Sequence, residues 1–299
     1  MQRDYSPFCH EGTNWIEKYV KLPSGVELLS VKFTPFEKAD KPAILFIPGL
    51  VSIIENFRET LIKLTHNHVV YYVETREKGS ARLSGPDDFS VGAITSDIVH
   101  YADMTFLKGT PWVMLGYSLG ATIAAEAFSH LTARPEAVIL IEPSATFPFS
   151  RGLRLLSRFA PCIYTPLKPL LKWYMRTFKI DIKEDLEMYR IYCRNIDAAI
   201  PERLGAAVRQ LGPYRMNECL SGINVPTLVS VTSKDKLHNH VEGVEIANRI
   251  KGSTYLDMLD NKRSHSAVMG HEIEKFISSL ARKPVQEDLP FQDTSSQLS

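Results

Sequence analysis

The sequence predicts an α/β fold in which helices flank a mostly parallel central sheet. Short apolar runs, typical of strands buried on both faces, occur at residues 43–47, 69–73, 113–115, 137–141 and 226–232. Stretches long enough to form helices separate most of these runs, and this order favours parallel strands because each parallel connection has to cross the sheet. One interval, residues 147–222, contains helix-like segments and no buried-strand signal. The sequence therefore also predicts a helical insertion.

The composition agrees with a globular protein and excludes several other classes. The chain has 299 residues, of which 44% are hydrophobic and 23% charged, so a sizeable core can form. The net charge of +1 argues against nucleic acid as a partner. Four cysteines without paired spacing imply no disulfide framework. No apolar window reaches the length of a membrane span and the first residues lack a secretory signal, so we expect a cytoplasmic protein.

Local patterns assign the remaining elements. Residues 15–20 and 26–33 alternate apolar and polar side chains around Pro23-Ser24-Gly25 and predict a β-hairpin. A further strand is expected at residues 254–259. Helical spacing of apolar residues marks residues 53–64, 91–106, 121–131, 153–159, 167–178, 186–196, 200–211, 244–250 and 273–280.

These assignments divide the chain into three parts. Residues 14–146 and 223–283 form the predicted core, and residues 147–222 form a predicted helical cap inserted after the strand that ends at Glu142. Residues 284–299 are polar and unpatterned, so we expect a disordered tail there.

The most informative motif is Gly116-Tyr117-Ser118-Leu119-Gly120. An apolar strand precedes it and an Ala-rich helix follows it, so the context is strand, tight turn, helix. Such a turn holds a serine in a strained conformation with its hydroxyl projecting, and the flanking glycines allow the strand and helix to approach closely. Ser118 is therefore a candidate nucleophile. The alternative is that Ser118 merely caps the helix, since serine is a preferred N-cap residue.

A base and an acid follow later strands. His265 lies after the strand at residues 254–259, and Asp235 follows the strand at residues 226–232. Glu142, at the end of the preceding strand, is the alternative acid, and His271, in the closing helix, is the alternative base. We favour His265 because the position of His271 leaves little loop for reaching back over the sheet.

The elbow motif and the order Ser118, Asp235, His265 resemble the α/β-hydrolase superfamily. The resemblance covers about residues 15–282. Pro48-Gly49-Leu50 is similar to the His-Gly oxyanion turn of that superfamily, with Pro48 replacing the histidine. Residues 74–80 are similar to its Asp-x-Arg-Gly-x-Gly-x-Ser loop, with Glu77 replacing the first glycine. The resemblance assigns no subfamily, but it implies that the backbone N–H groups of Leu50 and Leu119 form the oxyanion hole.

The resemblance implies a serine hydrolase that cleaves a carboxylic ester or thioester through an acyl-enzyme on Ser118, without a metal or cofactor. An acyltransferase that uses the same residues is the first alternative. A homologue that binds a small ligand without catalysis is the second.

Two pairs of histidines raise the question of a metal site. His66 and His68 form one pair, and His238 and His240 form the other. Neither pair is accompanied by Asp, Glu or Cys at ligand spacing. We therefore interpret all four as solvated loop histidines.

The predicted insertion carries an unusual charge pattern, since residues 151–179 include seven basic side chains and no acidic one among many apolar residues. Such a segment can lie on an anionic membrane. Alternatively, its apolar side roofs the active site and its basic side faces water. Pro161, Pro166 and Pro169 favour the second interpretation because they should break the segment into short pieces. Both interpretations predict a small hydrophobic ester as substrate.

Overall fold

The computed structural model describes residues 3–37, 41–85, 87–180, 182, 185–216, 219–234 and 239–280. These residues form a single sheet with helices on both faces. Its strands are β1 (Asn14–Lys21), β2 (Glu27–Thr34), β3 (Ala43–Ile47), β4 (Val70–Val73), β5 (Trp112–Tyr117), β6 (Ala137–Ile141), β7 (Thr227–Val231) and β8 (Thr254–Asp257).

The strand order is β1-β2-β4-β3-β5-β6-β7-β8. β1 and β2 pair antiparallel with Trp15 opposite Phe33, which confirms the predicted hairpin, and β2 also pairs antiparallel with β4. All other neighbours are parallel. Every residue of β5, β6 and β7 is buried, as their continuous apolar sequences predict.

Alternate side chains of each strand enter two separate cores. In β3, Leu45 and Ile47 face the first core, and Ile44 and Phe46 face the second. Against the first core pack α2 (Val91–Thr105), α3 (Leu119–Ala127) and α8 (His240–Arg249). Against the second pack α1 (Arg58–Leu64) and α10 (Ala267–Leu280). Full burial of each large side chain contributes about 1.5–3 kcal/mol.

Between β6 and β7 the chain leaves the sheet, as predicted, and forms helices that we call the inserted helices. They are α4 (Arg151–Leu156), α5 (Ala160–Tyr174), α6 (Leu186–Ala198) and α7 (Pro201–Leu211). A π-helical turn, Met175–Lys179, extends α5. Within the described residues, no helix of the protein combines the length and the apolar character that crossing a bilayer demands.

The expectation that prolines break the first inserted segment into short pieces is wrong for Pro166 and Pro169. Pro161 lies in the first turn of α5, where its missing N–H is no loss, but Pro166 and Pro169 both lie inside the helix. Each removes a hydrogen bond to the carbonyl four residues earlier. Those carbonyls belong to Cys162 and Thr165, both exposed, so water can satisfy them.

Several element ends differ from the predictions because capping groups decide them. A 3-10 turn, Ile54–Phe57, precedes α1. Helix α8 begins at His240, four residues before the predicted start, because the Asn239 side chain accepts a hydrogen bond from the N–H of Val241. The predicted loop before His265 contains a short helix, α9 (Asn261–Ser264), capped by Asp260. The expected tail, residues 284–299, lies outside the described residues.

Candidate active site

Ser118 lies at the turn between β5 and α3 in a strained backbone conformation. Its φ is 51° and its ψ is −114°. A non-glycine residue held at positive φ costs about 1–3 kcal/mol and persists only where the surrounding structure imposes it. Two hydrogen bonds hold this conformation: the N–H of Ser118 donates to the carbonyl of Ile141, and the carbonyl of Ser118 accepts from Ala121 N.

The two glycines of the motif are required by close backbone contacts. A Cβ atom at Gly116 would lie 2.3 Å from the carbonyl oxygen of Gly120, and a Cβ at Gly120 would lie 2.1 Å from the carbonyl oxygen of Ile47. Both distances are far below van der Waals contact. The strand, the turn and the helix therefore pack together at a separation that only glycine permits.

Ser118 occupies the N-cap position of α3, but its side chain makes no capping hydrogen bond. A serine retained for capping would accept from the N–H groups of the first turn. Ser90 does so at the start of α2, where its side chain accepts from Ala93 N. The geometry therefore favours the nucleophile interpretation of Ser118 over the capping interpretation.

Ser118, His265 and Glu142 line one cavity of about 480 Å³. The sheet and its loops form the floor, and the inserted helices form the roof. Its remaining walls are mainly apolar and aromatic, and they include Leu50, Phe57, Phe149, Tyr164, Leu171, Tyr174, Met175, Ile196 and Leu204. The sequence elements predicted to meet at this edge of the sheet are thus brought together, as far as they are described.

His265 is half-buried and fixed on several sides. Its ring stacks against Phe57 and lies 5.5 Å from the ring of Tyr117. The Tyr117 hydroxyl, whose pKa is raised by burial, donates to the carbonyl of Ser264. Nδ1 of His265 lies 3.1 Å from the carbonyl oxygen of Asn261. A carbonyl only accepts, so in a neutral imidazole this hydrogen bond favours the tautomer that carries its proton on Nδ1.

Of the two candidate acids, Glu142 is described and Asp235 lies outside the described residues. Glu142 follows β6 with φ of 52° and is 3% exposed. Its Oε1 accepts a hydrogen bond from the Thr232 hydroxyl, and its N–H donates to the carbonyl of Ser230. The carboxylate is therefore held against the start of the loop that carries Asp235, and the choice between the two acids stays open.

Two backbone donors flank the nucleophile. Leu119 is the first residue of α3, and Leu50 lies in the turn after β3. In the part of the chain that the structure describes, neither N–H donates to a protein acceptor. The turn also approaches Ser118, because a Cβ at Gly49 would lie 3.2 Å from that of Ser118. These positions suit an oxyanion hole.

The side chain of Lys78 stabilises this turn, a role that sequence reasoning missed. Its ammonium group donates to the carbonyls of Gly49 and Ser52, at 2.7 and 2.8 Å. Between them, Val51 adopts a positive φ of 60°, which is strained for a β-branched residue. Lys78 is buried, and this burial lowers its pKa. The only sequence signal was a lysine inside the loop that resembles the superfamily motif.

The inserted helices are fastened to the loops around the cavity. Asn195 of α6 accepts a hydrogen bond from the N–H of Ile53, and Asn261 donates to the hydroxyl of Tyr192. Arg203 of α7 donates to the carbonyls of Lys78 and Ala81. The roof of the cavity is therefore joined to the turn that carries Leu50.

His271, the alternative base, is exposed in α10 and does not line the cavity that contains Ser118. The expectation of a solvated His68 is wrong: the residue is fully buried, with Nδ1 donating to the carbonyl of Pro42 and Nε2 lying 3.2 Å from Glu274. The reason is the contact with Glu274 of the distant helix α10, which local sequence does not report.

His66 is exposed and stacks on His10. His240 contacts the hydroxyl of Tyr255, and His238 lies outside the described residues. Among the residues that the structure describes, no group of three His, Cys, Asp or Glu side chains is arranged to hold a metal ion.

The sequence matches no protein-family model and shows no significant similarity to a curated protein. The structure, in contrast, is similar to many solved structures. An esterase from Thermogutta terrifontis superposes with a TM-score of 0.74 at 17% identity, over 89% of this chain and 99% of the other. The enol-lactonase from Burkholderia xenovorans gives 0.72 at 17% identity, over 89% and 100%.

A third solved structure extends the same comparison. The esterase RhEst1 from a Rhodococcus species gives a TM-score of 0.71 at 14% identity, over 88% of this chain and 99% of the other. At such low identity these likenesses speak for the fold alone. They confirm the predicted α/β-hydrolase fold.

Proposed function

On the premise of an α/β-hydrolase fold, we propose that this chain is a serine hydrolase that cleaves a carboxylic ester or thioester through an acyl-enzyme on Ser118. The observation that carries the proposal is the strained Ser118, which shares one cavity with His265 and is flanked by two backbone N–H groups that have no acceptor among the described residues. Strain of this kind clusters at functional sites. The esterases and the lactonase with the same fold act on ester bonds, in agreement with the proposal.

In the proposed reaction, Nε2 of His265 takes the proton of the Ser118 hydroxyl as the oxygen attacks the substrate carbonyl. The C–O or C–S bond of the substrate breaks as the protonated imidazole gives its proton to the leaving group. Water then attacks the acyl-enzyme by the reverse sequence and releases the acid. The N–H groups of Leu50 and Leu119 bind the oxyanion in both steps, and each such donor is worth about 2.7–4 kcal/mol.

The apolar walls of the cavity support a substrate with a hydrophobic acyl or alcohol group. Tyr164, Leu171 and Ile196 would contact that group, and no lysine or arginine lines the described part of the cavity. We expect medium-length nitrophenyl esters to be cleaved with a higher kcat/KM than the acetate. Preference for the acetate would contradict this substrate class.

Covalent labelling tests the nucleophile. A fluorophosphonate probe should label the wild type and Ser96→Ala, a control on the exposed face of α2, but not Ser118→Ala. Absence of labelling in folded wild-type protein would overturn the proposal. Release of an ester in place of an acid when acceptor alcohols are added would instead identify an acyltransferase.

A matched pair of variants decides the acid. We propose Asp235, whose replacement by Asn should lower kcat by about 10⁴, whereas Glu142→Gln should have a much smaller effect. The reverse result would assign the role to Glu142, which stands on the cavity wall.

A further inference from the structure

The exposed apolar side chains of this protein are concentrated on the inserted helices. Among the described residues, 18 large hydrophobic side chains are exposed, and nine of them fall in the range from Leu153 to Leu186. A folded monomer seldom leaves such a concentration facing water unless that surface binds something. The members on α4, on α5, on the 3-10 turn between them (Ser157–Phe159) and on the π-helical turn are Leu153, Leu155, Leu156, Phe159, Leu170, Trp173, Tyr174 and Phe178.

Arginines surround the first part of this surface. Arg151, Arg154, Arg158 and Arg209 line a surface depression of about 440 Å³ together with Leu155. Within the described residues, no acidic side chain forms a salt bridge with any of these four arginines. Guanidinium groups gathered at one depression bind phosphate oxygens well, because each offers several donors in a fixed plane.

The second part of the surface lies on α5 and its π-helical turn. The ring of Phe178 lies 5.7 Å from that of Trp173 and 5.4 Å from that of Tyr174. Lys168 and Lys172 nearby share one carboxylate, Asp197. The local charge therefore stays positive around an aromatic cluster, which is the composition of segments that lie at the surface of a bilayer.

The exposed surface is continuous with the wall of the catalytic cavity. Tyr174 is 43% exposed and also lines the cavity that contains Ser118. The neighbouring Met175 lines the cavity too, whereas Trp173 is directed to solvent. The exposed apolar surface and the cavity wall therefore share the side chain of Tyr174.

We propose that the outer face of residues 151–179 docks on an anionic phospholipid surface, with the arginines at the phosphate groups and the aromatic cluster among the acyl chains. The proposal rests on the proposed function in one respect only, since it implies that the hydrolysed ester is drawn from the bilayer. Charge complementarity favours lipid over a second copy of this chain, whose matching face would carry the same positive charge.

The test uses full-length Ser118→Ala protein, so that binding is measured without turnover. Partition into vesicles of phosphatidylcholine with phosphatidylglycerol is measured by sedimentation and compared with pure phosphatidylcholine. Trp173 is exposed whereas Trp112 is buried, so a blue shift in fluorescence that is lost in Trp173→Phe reports insertion of this face. We expect binding to the anionic vesicles that weakens with salt.

Two pairs of variants define the surface. Arg151→Gln with Arg158→Gln should weaken partition about 25-fold, since each basic residue near an anionic surface is worth about fivefold. Lys108→Gln with Lys251→Gln, exposed cations elsewhere on the protein, should bind within about twofold of the parent.

The apolar pair is Trp173→Gln with Phe178→Gln, which should also lose binding. Its control is Met104→Gln with Leu107→Gln, an equally exposed apolar pair outside the inserted helices.

The outcomes separate the two proposals. Binding that depends on the 151–179 variants and not on their controls supports docking, whether or not the wild type hydrolyses nitrophenyl esters. No preference for anionic vesicles, or equal loss in the control pairs, would overturn it. The proposal would also be overturned if sedimentation velocity showed a dimer that dissociates in Trp173→Gln with Phe178→Gln, because a second copy would then cover this face. In active protein, both 151–179 pairs should keep the hydrolysis of soluble esters and lose that of vesicle-borne esters.

Discussion

The turn around Ser118 and the inserted helices lie on opposite sides of one cavity and differ in how closely they are packed. Around Ser118, every residue of β5 is buried, and the glycine contacts leave no space for a methyl group. In α4, no residue is buried, and a Cβ at Gly152 would meet only the Ser150 hydroxyl, at 4.0 Å. The turn that carries Ser118 is thus fixed by dense packing, whereas α4, on the outside of the inserted helices, is loosely packed and exposed.

This difference indicates where each property of the protein resides. Oxyanion donors and a base have to be positioned to within a fraction of an ångström before the reaction, and only a packed sheet holds them so. A surface that admits varied hydrophobic groups benefits from adaptable packing. Variants in the two regions test this contrast.

A methyl group added in the two regions should give opposite results. Gly120→Ala places its Cβ 2.1 Å from the Ile47 carbonyl oxygen, and it should lower the free energy of unfolding by more than about 3 kcal/mol or prevent folding. Gly152→Ala should be neutral or stabilising by up to about 1 kcal/mol, because alanine favours a helix. Urea denaturation measures both. Similar values would contradict the contrast in packing.

Loss of the Lys78 ammonium should impair catalysis more than binding. Lys78→Met leaves the carbonyls of Gly49 and Ser52 without their donor, so the Leu50 N–H is no longer held toward the oxyanion. We expect kcat to fall about 10²–10³-fold with little change in KM, because the donor acts on the transition state. Lys108→Met, an exposed control, should behave as wild type. A rise in KM alone would show that Lys78 does not position the oxyanion turn.

The contacts of Glu274 with His68 and Lys41 should make the free energy of unfolding depend on pH in the acid range. His68 and Lys41 lower the pKa of Glu274 to about 2 in the folded protein, from an ordinary 4.5. Because the folded pKa lies below the unfolded one, the stabilisation is present above pH 4.5 and is lost as the pH falls toward 2. Glu274→Gln should lower the free energy of unfolding by ~2–3 kcal/mol at pH 7. The difference in this free energy between the variant and the wild type should shrink as the pH falls from 4.5 toward 2. A difference independent of pH would exclude the ionic explanation.

A polar substitution on the inserted helices should barely change stability. Leu153 is 46% exposed, so Leu153→Gln should alter the free energy of unfolding by less than about 0.5 kcal/mol. Leu115→Ala, in the buried strand β5, should cost about 2–5 kcal/mol. Thermal denaturation of the pair provides the measurement, and a large loss in Leu153→Gln would show that α4 is part of the packed core.

The fold was predictable because its signals are local. Each of β3, β5 and β6 is a short, mainly apolar run that is followed by Pro48, Ser118 or Glu142, and β3 and β6 were predicted to the residue. The elbow combines local periodicity with glycines at fixed spacing. Ser118 was identifiable for the same reason.

The rest depended on contacts between distant segments. Burial of His68 depends on Glu274 of the last helix, and the role of Lys78 depends on a turn 29 positions earlier in the chain. Helix α5 contains Pro166 and Pro169, and the residues whose carbonyls lose a hydrogen bond, Cys162 and Thr165, are exposed, which the sequence alone does not reveal. The assignment of Asp235 remains a prediction.

Lys78 is bound at both of its ends, and this has a consequence for communication across the protein. Its backbone carbonyl accepts from Arg203 of an inserted helix, while its ammonium group holds the carbonyls of the oxyanion turn. Lys78 thus connects an inserted helix in the roof of the cavity to the turn that carries Leu50. If binding at the inserted helices shifts α7 and thereby the affinity of the proposed oxyanion hole, thermodynamic reciprocity requires a bound oxyanion to shift the affinity for the binding surface by the same factor.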